Sequence, residues 1–127
     1  MNARGWIICG ALLGAVGVST GAYGAHGLEQ RVKDEKLEAK YHTAVRYQMY
    51  HALALILCAV LSRAGYRCSV AAWCFLIGTV IFSGTVYALA LGSPRFFGAI
   101  TPIGGVMLIV GWLALLRGGA APPQDGI

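Results

Sequence analysis

Four stretches of this chain, at about 6–25, 43–62, 69–91 and 99–116, are apolar over close to the ~20 residues that a helix needs to cross a bilayer. A segment in hydrocarbon must satisfy its own backbone N–H and C=O groups, so such a run is a helix. The four runs occupy most of the 127 residues, and no repeat of 20–50 residues is visible. Only 12% of the residues are charged and mean hydropathy is +0.67, against about 25% charged in soluble domains. The expected class is therefore all-α: one polytopic membrane domain, a bundle of four transmembrane helices. A short amphipathic helix between spans 1 and 2 and a disordered tail from Gly118 complete it.

The first run carries Gly10, Gly14, Gly17, Gly21 and Gly24 at alternating spacings of four and three. At 100° per residue they fall within an ~80° stripe of one helix. Glycine is costly inside a soluble helix, but in a membrane small residues let a neighbouring backbone come close. Gly78, Thr85 and Gly92 lie seven apart on the third run, and Gly104 and Gly111 seven apart on the fourth. All ten are helix-packing positions. Two readings stand: they pack the four helices together, or they receive a helix of another protein.

The net charge of +5 is not a nucleic-acid signal, because the basic residues flank spans or sit in one connection and form no cluster with aromatics. Residues 28–42 form the charged stretch. Leu28, Val32, Leu37 and Tyr41 give it a sparse apolar stripe, and Glu29/Lys33 and Arg31/Glu35 are i,i+4 pairs. This predicts the surface helix, with continuity into the second span as an alternative. Ser62-Arg63-Ala64-Gly65 and Gly92-Ser93-Pro94 end spans, and Thr101-Pro102 has the form of an N-cap followed by proline at N1. Trp6 fits an interfacial anchor. Arg4, an apolar core and small residues near Ala22–Ala25 imitate a signal peptide, but the full-length run favours a retained first helix. Basic residues divide between the two sides too evenly to fix orientation.

Four strings resemble one family: Gly21-Ala22-Tyr23-Gly24-Ala25-His26, Tyr47-Gln48-Met49-Tyr50-His51, Gly78 through Gly84 to Tyr87, and Thr101-Pro102-Ile103-Gly104-Gly105 with Gly111-Trp112. Together, one per span and in order, they look like the small membrane proteins grouped as domain of unknown function 423, YgdD-like and transmembrane protein 256-like. The resemblance covers about Trp6 to Leu116. It implies a four-helix, multi-pass protein of the bacterial inner (plasma) membrane, and it supplies no reaction. The charged stretch and the tail match none of its motifs.

Polar groups within a span are costly and so are functional candidates. Tyr47 and His51 are i,i+4, Ser83 and Tyr87 share a face, and His26 ends the first run on the side where the second begins. With Arg46 they form a candidate polar cluster: His26, Arg46, Tyr47, His51, Ser83 and Tyr87. One reading is a proton relay or ligand site; the other is a set of interhelical hydrogen bonds, favoured because no carboxylate lies in a span. His26, His42 and His51 have no metal-ligand spacing. Cys9, Cys58, Cys68 and Cys74 form no C-x-x-C pair. No nucleophile has a paired base, so neither catalysis nor a cofactor or metal is expected. The expected function is a small structural, accessory or assembly subunit. Its partners are the lipid bilayer and other membrane subunits or itself, docked through the glycine-rich faces. The alternative is a small transporter or channel subunit with a polar site around Arg46, His51 and Tyr87.

Overall fold

The computed structural model describes residues 1–27 and 34–124. Four helices follow in order: α1 (Ala3–His26), α2 (Glu35–Arg63), α3 (Ser69–Ala90) and α4 (Phe97–Ala120). Each is long and apolar enough to cross a membrane. They form an up-down bundle in which α1 packs on α2, α2 on α3, and α3 on α4.

The helix ends follow from particular residues. Asn2 caps α1, its Oδ1 accepting from the Gly5 N–H at 3.0 Å. Asp34 caps α2 by accepting from the Lys36 N–H at 2.9 Å, with Glu35 and Glu38 in the first turn where the helix dipole favours negative charge. At the other end of α2, Gly65 adopts φ +96° and the Tyr66 N–H donates to the Leu61 carbonyl at 3.0 Å. α3 ends in the same way, with Gly92 at φ +99° and the Ser93 N–H donating to Ala88 at 3.0 Å. Both are Schellman closures, which need a left-handed residue just past the helix.

Several sequence expectations change here. Residues 35–42 are the first turns of α2 and not a separate helix, the continuity with the second span given above as the alternative, because Asp34 caps a helix that runs unbroken into the span. The remainder of the expected surface helix, 28–33, lies outside the described residues. Gly92 closes α3 instead of packing: a side chain there would meet nothing within 4 Å. Thr101 and Pro102 do not start α4, which begins a turn earlier at Phe97. Thr101 is drawn instead into a hydrogen bond with Thr85. Trp6 is buried under the N-terminal end of α3, at 5.0 Å edge-to-face on Trp73, and does not stand as an interfacial anchor. The segment expected to be disordered from Gly118 stays helical to Ala120, and the Gln124 N–H donates to the Gly65 carbonyl at 2.9 Å. Residues 125–127 lie outside the described residues.

α2 and α3 form the centre and bury most of the inward-facing side chains, among them Leu55, Cys58 and Phe75. The flanking helices bury little: Trp6, Gly10, Gly17 and Gly24 on α1, and Gly104, Leu108 and Gly111 on α4. The large side chains of the outer faces, such as Leu12, Val16, Val60, Leu113 and Leu116, are exposed. In a bilayer that apolar surface meets lipid, where it costs nothing.

Candidate functional site

The buried polar groups gather in two places. The first is a hub joining three helices. Gln48 is buried on α2 and its Nε2 donates to the Leu13 carbonyl of α1 at 2.8 Å. The Tyr87 hydroxyl of α3 donates to Gln48 Oε1 at 2.6 Å. Thr20 Oγ1 of α1 lies 3.1 Å from both the Tyr87 hydroxyl and the Gly17 carbonyl. The Tyr41 hydroxyl of α2 closes the set by donating to the Thr20 carbonyl at 2.7 Å. One turn along α3, Ser83 Oγ donates to the Ala44 carbonyl at 3.0 Å.

The second place is His51. The Trp112 indole N–H of α4 donates to His51 Nε2 at 3.0 Å, and His51 Nδ1 lies 2.7 Å from the Tyr47 carbonyl. Indole can only donate, so Nε2 must be the acceptor and Nδ1 must carry the proton. The ring is thereby assigned as the Nδ1–H tautomer, with both nitrogens used. Phe75 packs against both partners, at 5.4 Å from the imidazole and 4.8 Å from the indole. A further clamp between α3 and α4 is the Thr85–Thr101 hydroxyl pair at 2.6 Å.

The six residues expected to cluster are therefore divided. His51 and Tyr47 meet through the Tyr47 carbonyl, while the Tyr47 ring stacks on Phe82 at 5.1 Å. Tyr87 and Ser83 serve separate bonds in the α2–α3 interface. Arg46 is exposed, its Nη2 donating to Thr43 Oγ1 at 3.1 Å, and His26 is exposed at the end of α1. Ser83, Tyr87 and His51 make hydrogen bonds to other helices, while the Arg46–Thr43 bond stays within α2. His42 lies apart from both other histidines, 3.9 Å from Glu38.

Gln48, Thr20, Tyr41 and Trp112 lie outside the six expected residues: Gln48 and Trp112 enter the sequence reading only within the family strings, and Tyr41 only in the apolar stripe. Gln48 had a readable signal, since an amide inside an apolar span must find partners. The others depend on how the helices are rotated.

Of the ten expected packing positions, Gly10, Gly17, Gly24, Gly78, Gly104 and Gly111 are buried inside the bundle. Gly14 and Gly21 are half-buried on the same face of α1, and Thr85 is buried on α3. The glycine faces are thus engaged within the chain.

Comparison with known proteins agrees with this membrane architecture. The family model described as "Protein of unknown function (DUF423)" matches residues 20–105. The chain is 47% identical over 112 residues to the UPF0382 membrane protein SH2409 of Staphylococcus haemolyticus, covering 87% of this chain and 91% of that one. It is 48% identical over 118 residues to the UPF0382 membrane protein SSP2132 of Staphylococcus saprophyticus, covering 89% and 94%. With the UPF0382 membrane protein YwdK of Bacillus subtilis it shares 42% identity over 115 residues, covering 87% and 92%. No solved structure matches.

Proposed function

The chain belongs to the DUF423 family of membrane proteins; we propose that it is a small, non-catalytic accessory or assembly subunit that docks on a larger complex in the bacterial plasma (inner) membrane. The observation that carries this reading is the outer face of α1. Ala11, Ala15, Ser19 and Ala22 lie there at spacings of four, four and three, and all are exposed. They occupy a stripe about 130° around the helix from the buried glycines. Small residues at this spacing let a second helix approach closely, and lipid gains nothing comparable from them. The glycine faces are consumed inside the bundle, so docking moves to this second stripe. The polar residues favour the same reading: Arg46, His51 and Tyr87 point into three different surroundings and line no common path for a solute.

Native membranes solubilised in mild detergent test the proposal. The wild-type chain should migrate with larger proteins, and Ala15→Leu with Ser19→Leu should release it at the size of the folded bundle. Migration of the wild type alone, at bundle size, overturns the reading.

A further inference from the structure

At the membrane side where α2 begins and α3 ends, α2 and α4 stand apart across α3. Between them lies a groove of about 430 Å³, in the range of ~300–1,000 Å³ typical of small-molecule sites. Phe82, Val86 and Leu89 of α3 line it, with Thr43 of α2 on one wall and Gly98 and Pro102 of α4 on the other. Its hydroxyls are already committed: Thr43 Oγ1 donates to the Ala39 carbonyl at 3.1 Å, and Thr101 bonds Thr85 and Phe97. The interior therefore offers apolar contact. Pro102 adds one polar feature, because it has no N–H to give to the Gly98 carbonyl on that wall.

Positive charge stands at the mouth. Lys40 lines the groove, and Arg46, further along α2, reaches back to the groove-lining Thr43 with a bond to Oγ1 at 3.1 Å. Arg95 lies in the turn that leads into Gly98. Among the described residues none of these three has a carboxylate within 4.0 Å; the single ion pair found there is His42–Glu38. Lys40 is twenty-three residues from Arg63 at the other end of α2, or about 35 Å, which sets its ammonium beyond the ~30 Å hydrocarbon layer, at the end of the groove where Tyr41 packs on Tyr87. An apolar slot with Lys40 at headgroup height, and no carboxylate within 4.0 Å of it among the described residues, matches the charge and shape of one occupant available to every membrane protein.

We propose that this groove binds an anionic phospholipid, with an acyl chain against Phe82, Val86 and Leu89 and the phosphate on Lys40 and Arg46. The cations select the headgroup and the groove holds the chain, so the two contributions are separable.

The purified full-length chain in neutral detergent, titrated with phosphatidylglycerol or phosphatidylcholine under native mass spectrometry, tests this. One phosphatidylglycerol should bind at least tenfold more tightly than phosphatidylcholine. Lys40→Gln with Arg46→Gln should weaken phosphatidylglycerol by roughly tenfold or more, from the usual strength of basic side chains at an anionic surface, and leave phosphatidylcholine unchanged. Gly98→Leu should weaken both lipids. It has room to fold, since a methyl added there first meets Leu89 Cδ1 at 3.8 Å. Equal binding of the two lipids, or unchanged phosphatidylglycerol affinity in the Lys40/Arg46 variant, overturns the proposal even if Gly98→Leu does not fold. Displacement of bound phosphatidylglycerol by millimolar inorganic phosphate overturns the lipid assignment and leaves an anion site. A photo-crosslinking amino acid in place of Leu89, activated in native membranes, should give a lipid adduct; a protein adduct, to a second copy or another chain, overturns the proposal.

Discussion

α1 and α4 flank the bundle in equivalent positions, and both turn a glycine heptad inward, yet the two seams work differently. Between α3 and α4 the backbones themselves meet at Gly78 and Gly104, while Gly111 receives the Phe75 ring. A methyl added at Gly104 would lie 2.6 Å from the Phe82 backbone nitrogen and 2.9 Å from the Gly78 carbonyl oxygen. Between α1 and α2 a methyl at Gly10 would also meet backbone, the Ala52 carbonyl oxygen at 2.8 Å, but the other glycines make room for side chains. A methyl at Gly17 would meet Met49 Sδ at 2.6 Å, one at Gly24 Tyr41 Cε1 at 2.8 Å, and one at Gly14 only Ala52 Cβ at 4.0 Å. The α1 seam is instead fastened by polar groups, Gln48 to Leu13 and Tyr41 to Thr20. One spacing in the sequence thus encodes two solutions: backbone-on-backbone approach, and a channel that receives the neighbour's side chains.

The sharpest test is steric. Gly104→Ala should cost about 1–3 kcal/mol in reversible unfolding from detergent, because backbone on the far side cannot yield. Gly17→Ala should cost less than about 1 kcal/mol, as the flexible Met49 side chain moves aside. Gly14→Ala should change nothing measurable. Equal losses at Gly104 and Gly17 would erase the distinction between the seams.

Next in size are the polar fasteners. Gln48→Leu, followed in the same unfolding assay, should cost about 1–2 kcal/mol because it removes two bonds at once, to the Leu13 carbonyl and to the Tyr87 hydroxyl, and leaves Tyr87 only Thr20. A double-mutant cycle with Tyr87→Phe should return a coupling of about 0.6–1.7 kcal/mol. Trp112→Phe, which removes the donor to His51 on the α4 side, should cost about 1 kcal/mol. No loss for Gln48→Leu would make the α1 seam a matter of packing alone, and a zero coupling would leave the Gln48–Tyr87 bond without weight between α2 and α3. The smallest effect is expected at Thr79, whose Oγ1 is buried without a partner. Thr79→Val keeps the shape and discards that hydroxyl, so the thermal midpoint should hold or rise slightly.

The four spans were legible because bilayer thickness sets a length that the apolar runs must match. The two glycine turns were legible as helix stops, but Gly92 also fell seven residues from Thr85 and so passed for a packing position. The Thr101-Pro102 pair reads as a helix start by local rules, and a tertiary partner, Thr85, overrides it. Spacing put Ser83 near Tyr87 and Tyr47 near His51, since those pairs share a helix face. It could not bring His26 or Arg46 to them, because contact between helices depends on rotation and tilt, which no spacing within one helix records. The same limit concealed the Trp112–His51 bond, whose partners are sixty-one positions apart.

α2 has 29 residues and so runs about 44 Å, well beyond the ~30 Å of hydrocarbon it crosses. Its first turns, from Glu35 through Lys40, are rigidly continuous with the helix that carries Gln48 and His51. It behaves as a mast stepped through a deck. A change in membrane thickness finds no loop at this point of the chain to take it up, and any tilt of α2 carries with it the helices tied to it by Gln48 and His51. The bundle answers the thickness of its membrane as one body.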